Sequence, residues 1–424
     1  MPELGPTPLA VGEENISVEA ARTAIHAAVR PIVGSETVTL TQALGRILAA
    51  DVVSPIDVPA HDNSAMDGYA FDGAALRPET DLSLRPVVGT IYAGQAPVSE
   101  VHAGECVRIM TGAVMPVGLD TVVPLELCRV HGNQVLLAPG VIRAGENRRR
   151  RGEDLTAGRP ALHAGRVLRP ADIGLVASLG LTQLSVMRRL RVAVFSTGDE
   201  VVSPGRPLPP HCIYDSNRYA LIAALQRLGM EPIDLGLLRD DPESLQATLR
   251  IAAEQADAVL TSGGVSAGDA DYTRDVMARA GAIDFWKVAM RPGRPFAFGS
   301  LHGDGQRPVW LFALPGNPVA SLVTFYVFAR EALLVLAGAR HEPLPLLQAR
   351  CAAALRKRPG RTEFQRGRVS RGADGQWQVR TAGPQGAGIL RSMSEANALI
   401  VLGHDQGSVA AGELVDVWVF DGLA

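Results

Sequence analysis

The chain has 424 residues, 47% of them hydrophobic and 20% charged, with a formal net charge of −3. At roughly 100 to 200 residues per domain this length implies two to four domains, and the composition is that of a folded globular protein, which excludes a disordered or collagen-like chain. Of the 41 basic residues only two, Lys287 and Lys357, are lysines. They follow Trp286 and Arg356, so the Gly-Lys pair of a P-loop is missing and that class of NTPase is excluded.

The N-terminal residues lack the basic start and apolar run of a secretory signal, and a cytoplasmic protein is expected. In chain order, Val18, Ala21, Ile25 and Val29 follow helical spacing, and Thr41 is placed to cap a second helix carrying Leu44, Ile47 and Leu48. From about residue 54 to 152, short apolar runs broken by Gly and Pro predict a β-rich domain inserted into the helical one, whose pattern resumes at Asp172–Leu181. From about Leu190 to Gly338, strand and helix signals alternate as in a doubly wound α/β domain. RVAVFS reads as a buried parallel strand, and Asp241-Pro242 as a helix cap followed by a first-position proline. Val319–Ala339 is strongly apolar but interrupted by Arg330-Glu331, which favours a buried helix over a membrane span. Pro343 and Pro345 suit a hinge, and the remaining residues are β-rich again. The four cysteines, Cys106, Cys128, Cys212 and Cys351, are far apart and form neither a CxxC pair nor a zinc pattern.

Ligands of doubly wound sheets collect beyond the carboxyl ends of the strands. Four loops there are informative: TGDE with Asp199 and Glu200, Arg239-Asp240-Asp241, SGGVSAGDAD with Asp269 and Asp271, and LPGNP. Carboxylates converging on one rim call for a cation, and hard oxygen donors point to Mg2+ rather than zinc. Gly263-Gly264 suits an anion at a helix end, although a Gly-Gly pair is weak by itself. Lys287, Arg291 and Arg294 add positive charge, and the whole suits a phosphate ester with a second anion. Residues 264–268 also match G-x-S-x-G, but the expected helix does not follow Ser266 directly and no His stands in a convincing strand-end loop. Arg148–Arg151 reads as a solvated or ion-paired face, and with an acidic chain this argues against nucleic acid. HDNSAMDGYA fails as an EF-hand and reads otherwise as a turn stabilised by its own Asp and Asn side chains.

Together, DNSAMDGYA, RIMTGA, RRRGED, STGDE, YDSN, TSGGVSAGDADYT, RPGRPFAFG, LPGNPVAS and GILRSMSEANALI resemble the molybdopterin molybdenumtransferase (MoeA) family, which includes the gephyrin E-domain. The resemblance implies Mg2+-dependent insertion of molybdate into adenylylated molybdopterin with release of AMP. It implies a multidomain α/β plus β chain: a discontinuous helical domain (14–53 and 154–186), a β-rich insert (54–153), an α/β domain like the molybdopterin adenylyltransferase (187–340) and a C-terminal β-barrel (346–424). A homodimer is implied too, its active cleft shared between subunits, with transient contact to the adenylyltransferase and to molybdoenzymes.

Carried over by motif, Glu200, Asp240 and Asp271 match acidic positions around Mg2+ and the nucleotide phosphates. Asp62 and Thr111 match functional positions of the insert, and Lys287 with Arg291 the family's cationic pair. Ser262, Gly263, Gly264, Ser266, Arg294, Pro315, Gly316 and Asn317 complete the expected binding set. Relatives commonly have Lys where this chain has Arg291 and Arg294, which turns ammonium contacts into guanidinium forks. The alternative is a non-catalytic scaffold of the gephyrin type.

Overall fold

In RVAVFST, Val192 and Val194 face one side while Ala193 and Phe195 face the other, and all four are buried, so the strand needs cover on both faces. The computed structural model, which describes residues 15–32, 34–96, 101–264, 271–302, 307–341 and 343–420, supplies it. The six-stranded sheet runs Glu231–Leu238, Arg191–Thr197, Ala258–Ser262, Val309–Leu314, Pro295–Leu301, Gly281–Lys287. Its first four strands are parallel, and Pro295–Leu301 is antiparallel to both of its neighbours. On one face Val192, Val194, Leu260 and Phe312 share a core with Leu221, Leu225, Val319, Val323 and Phe328. On the other, Ala193, Phe195, Val259 and Leu311 meet Leu245, Leu249 and Met277. Helices thus cover both faces, the doubly wound arrangement that the alternating signals predict.

Local chemistry starts the helices. Asp241 caps Pro242–Gln255 by accepting from the Ser244 amide at 2.8 Å, with proline at the first position, a cap of about 1 kcal/mol. Ser17 caps Val18–Ala28 through the Ala20 amide at 3.0 Å, and Val18, Ala21 and Ile25 enter the larger core. The second helix expected after Thr41 does not form. Only a 3-10 turn spans Leu40–Gln42, Gly45 then takes φ +72°, and Ile47 and Leu48 pair as extended chain with Val167 and Val186. Leu44, read as part of the apolar face, is 58% exposed.

The apolar segment becomes helix Pro318–Thr324, a π turn Phe325–Ala329 and helix Arg330–Leu336. Among the described residues it is the one helix long and apolar enough to cross a membrane, and it is 72% buried inside the fold. Beyond it, five strands close on themselves: Thr362–Arg371, Trp377–Thr381, Leu346–Cys351, Leu414–Val419 and Ala398–Leu402, which pairs back with Thr362–Arg371. Closure removes both sheet edges. In this barrel the Lys357 ammonium is buried and donates to the carbonyls of Gln406 at 2.6 Å, His404 at 3.1 Å and Arg358 at 3.4 Å.

The chain divides into two compact units, and all of the above lies in the first: residues up to Ala49, Gly165–Arg169 and Leu184 onward. The second comprises Ala50–Ala164 and Pro170–Gln183. It holds a six-stranded sheet in the order Thr121–Pro124, Gly68–Phe71, Glu105–Ile109, Leu82–Ile91, Gln134–Leu137, Arg129–His131, and the α-helix Pro170–Ser178. All four cysteines are free thiols, and burial pushes Cys106 up to about 12.

Candidate functional site

Ser196, Ser262 and Leu314 are level across three neighbouring parallel strands, so the loops that follow leave the sheet side by side. The Gly198 amide donates to Leu238 O at 3.4 Å, and the Asp240 amide to Asp199 Oδ1 at 3.3 Å, which places TGDE beside Arg239-Asp240. Gly198 has φ +142°, and a Cβ there would lie 2.8 Å from Glu200 Oε2, so the glycine lets this carboxylate fold over the turn. Asp199, Glu200 and Asp240 are all exposed. Asp241 is the helix cap already described, and the Ser244 hydroxyl first, with the Ser244 amide second, holds its carboxyl below the usual range.

Gly263 differs from the expectation. Its N–H is taken by Leu314 O at 3.0 Å, so it contributes space rather than a donor. At φ +97°, a Cβ would stand 2.8 Å from both Thr197 O and Thr197 Oγ1. That Thr197 hydroxyl is buried and has no hydrogen-bond partner among the described residues. Asn217, of the YDSN string, donates from Nδ2 to Ser262 Oγ at 2.7 Å and to Gly316 O at 2.6 Å. It pins Ser262 to the Pro315-Gly316-Asn317 loop. Asn317 precedes helix Pro318–Thr324 without a side-chain cap, and the Val319 amide donates to Ala387 O of the barrel region at 3.0 Å. Gly264 ends the described stretch, Ser266 and Asp269 lie outside it, and Asp271 opens helix Asp271–Ala280.

The cationic residues follow the sheet's last strand. Lys287 ends Gly281–Lys287 opposite Pro295 and is exposed. Arg294 Nη2 donates to Asn15 Oδ1 at 2.9 Å. Arg291 pairs with Glu363 of the barrel and borders a cavity of about 260 Å³, together with Arg356, Gln365, Arg366 and Gln385. Arg366 is the residue missed in the sequence. It is 1% exposed, its Nε donating to Ser392 Oγ at 3.1 Å and its Nη2 to Pro384 O at 3.1 Å and Gly386 O at 3.0 Å. Burial first, and Arg291 second, bring its guanidinium down to about 10. The sequence signal was weak, because TEFQRGRV holds two arginines, Arg366 and Arg368, among mostly polar residues, with Phe364 and Val369 its apolar side chains.

In the second unit three motif strings meet. Asp62 Oδ1 accepts from the Arg151 amide at 2.8 Å and its Oδ2 lies 3.6 Å from Arg148 Nη1. Ser64 exchanges backbone bonds with Gly112 and Ala113, and Asn63–Ser64 pairs with Arg148–Arg149. Thr111 donates to Asp67 Oδ1 twice, from Oγ1 at 2.6 Å and from N at 2.7 Å, and these bonds hold Asp67 below the usual carboxylate range. Gly68 is required sterically, since a Cβ would sit 2.0 Å from Val123 O. The arginine run is ion-paired, Arg149 with Glu153 at 2.8 Å and Arg151 with Asp57 at 2.6 Å.

Comparison with known proteins agrees along the chain. Residues 16–180 match the MoeA N-terminal region (domain I and II), 193–334 a probable molybdopterin binding domain, and 348–420 the MoeA C-terminal region (domain IV). A molybdopterin molybdenumtransferase of Haemophilus influenzae is 40% identical over 390 residues, covering 92% of this chain and 95% of that one. Molybdopterin molybdenumtransferase 2 of Mycobacterium tuberculosis is 38% identical, again over 92% and 95%. The crystal structure of a molybdopterin biosynthesis moeA protein from Pyrococcus horikoshii OT3 superposes with a TM-score of 0.80 at 26% identity, over 96% of this chain and all of that one. With family matches in order along its length and a relative this similar, the chain belongs to the molybdopterin molybdenumtransferase (MoeA) family.

Proposed function

We propose that this member of the family, an enzyme of molybdenum cofactor biosynthesis, joins molybdate to adenylylated molybdopterin in a Mg2+-dependent reaction that releases AMP. The observation that carries this reading is the pairing, within one unit, of an acidic rim at level strand ends with an arginine-lined cavity of about 260 Å³. A small oxyanion suits the cavity and a phosphate ester suits the rim.

The rim's donors fit Mg2+: exposed carboxylates, with a buried Thr197 hydroxyl, unpartnered among the described residues, in the cradle beside Gly263. Glu200, Asp240 and Asp271 would hold the ion, which when bound neutralises the phosphates. Asn217 fixes Ser262 and Gly316 as one wall for the nucleotide. Arg291 and Arg366 receive molybdate, and Lys287 with Arg294 offsets the charge developing on AMP. No protein nucleophile is needed: an oxygen of molybdate attacks the adenylyl phosphorus, the pyrophosphate bond breaks with the molybdopterin phosphate as leaving group, and the two dithiolene thiols then displace AMP and one oxygen, as water, from molybdenum; the residues position the reactants and stabilise charge. Asp62 and Thr111, in this reading, serve the active cleft of the partner in a cytoplasmic homodimer, with the four-domain division given above.

Replacing Glu200 or Lys287 by Ala is expected to abolish AMP release while the melting temperature stays put. Normal turnover in either variant ends the assignment. AMP, Mg2+ and molybdate together are expected to raise the melting temperature of the native chain, and no shift would favour a scaffold instead.

A further inference from the structure

In the first unit, Arg22 and His26 of helix Val18–Ala28 reach Glu331, the second residue of helix Arg330–Leu336. His26 Nε2 stands 3.1 Å from Glu331 Oε2, and His341 Nε2 stands 3.5 Å from the same oxygen. The two rings meet edge to face with centroids 4.6 Å apart, and one donor atom from each of the three residues falls within a 4.8 Å group. Glu331 is 5% exposed, whereas His341 reaches solvent.

We propose that His26, Glu331 and His341 form a site for a divalent transition metal of the zinc type. Two ligands at about 2.0 to 2.1 Å on a tetrahedral ion lie roughly 3.3 Å from each other, and both imidazole-to-carboxylate separations match that spacing. Two imidazoles and one carboxylate suit zinc, copper or nickel, whereas Mg2+ and Ca2+ want oxygen throughout. Arg22 already donates to Glu331, at 2.8 and 3.0 Å from one nitrogen. Each carboxylate oxygen has two lone pairs, so the guanidinium occupies one side and leaves the side facing the imidazoles for the ion. Arg22 itself lies over the Trp418 ring, 5.9 Å from its centroid, which braces the carboxylate from the barrel side. Solvent supplies the fourth ligand beside His341. The ion clasps the first helix, the long helix and the segment that leads into the barrel, so its binding free energy adds to the stability of this unit.

The test uses Co2+ and Zn2+ on the full chain purified without a polyhistidine tag. Co2+ is expected to give the visible absorption of a tetrahedral site, and Zn2+ to displace it and to raise the melting temperature where Mg2+ at this site does not. His26→Ala and His341→Ala are each expected to weaken binding at least about tenfold, the loss associated even with outer-shell partners. His341 is solvent-exposed, so its variant tests the site without endangering the fold. Absence of the Co2+ spectrum, or a spectrum unchanged in both histidine variants, overturns the proposal.

Discussion

In the proposed reaction the acidic rim and the arginine cavity solve the same problem, holding charge ready for a ligand, in opposite ways. Asp199, Glu200 and Asp240 sit on exposed loops where water solvates them, so their charge is inexpensive and their geometry adjustable. Arg366 is buried and aimed by three acceptors, and its cost shows in a guanidinium brought down to about 10. The difference teaches that variants of the rim's exposed carboxylates should lose function alone, whereas cavity variants should lose stability as well.

The largest expected effect is therefore Arg366→Met. Stranding Ser392 and two carbonyls should cost on the order of 3 kcal/mol, read from the denaturation midpoint, and turnover should go with it. An unchanged midpoint would break the contrast. Gly263→Ala probes the rim's steric part: a Cβ at 2.8 Å from Thr197 O, on a residue at φ +97°, should cost about 1 to 3 kcal/mol and abolish nucleotide binding in calorimetry.

Acid tests one of the fold's own carboxylates. Burial alone would push Asp257 up, but the Arg188 fork, at 2.6 and 2.8 Å, and the Arg191 amide outweigh it and hold the group low. A lowered native pKa means the stabilisation is complete above the unfolded value and is lost as pH falls through the folded one. Asp257→Asn should flatten the acid limb of the stability curve below about pH 4, where its unfolded form titrates. Smallest is Asp199→Asn, which keeps the acceptor for the Asp240 amide; its stability should stay within about 0.5 kcal/mol of the native chain. Any loss of Mg2+-dependent turnover there would then report charge rather than folding.

The strand ends were legible because buried parallel strands read as short apolar runs, and the residues after them follow automatically. The Asp241 cap was legible for a similar reason, since its chemistry lies within four residues. Closure of the barrel was expected from family likeness rather than from the residues, because pairing of Thr362–Arg371 with Ala398–Leu402 is non-local. Arg366 escaped for the same reason: it lies on the face opposite Gly367, where a Cβ would meet Ile400 and Val379, and only the distant segment 384–392 covers it. Asp67 escaped too, because its link to Thr111 spans 44 positions. The missing second helix is a different lesson. Its apolar spacing was genuine, but Gly45 at φ +72° and pairing with distant strands outweighed local propensity.

The chain's two lysines are now chemically unlike. The Lys357 amine is buried and spends its protons on three carbonyls, whereas Lys287 ends its strand in solvent beside the cationic segment. Apart from the terminal amine, an amine-directed acylating reagent applied to the native fold therefore has one exposed lysine to find. A dye placed there would sit where the substrate's charge is expected, so a protein almost devoid of lysine comes with a ready-made reporter of its own ligand.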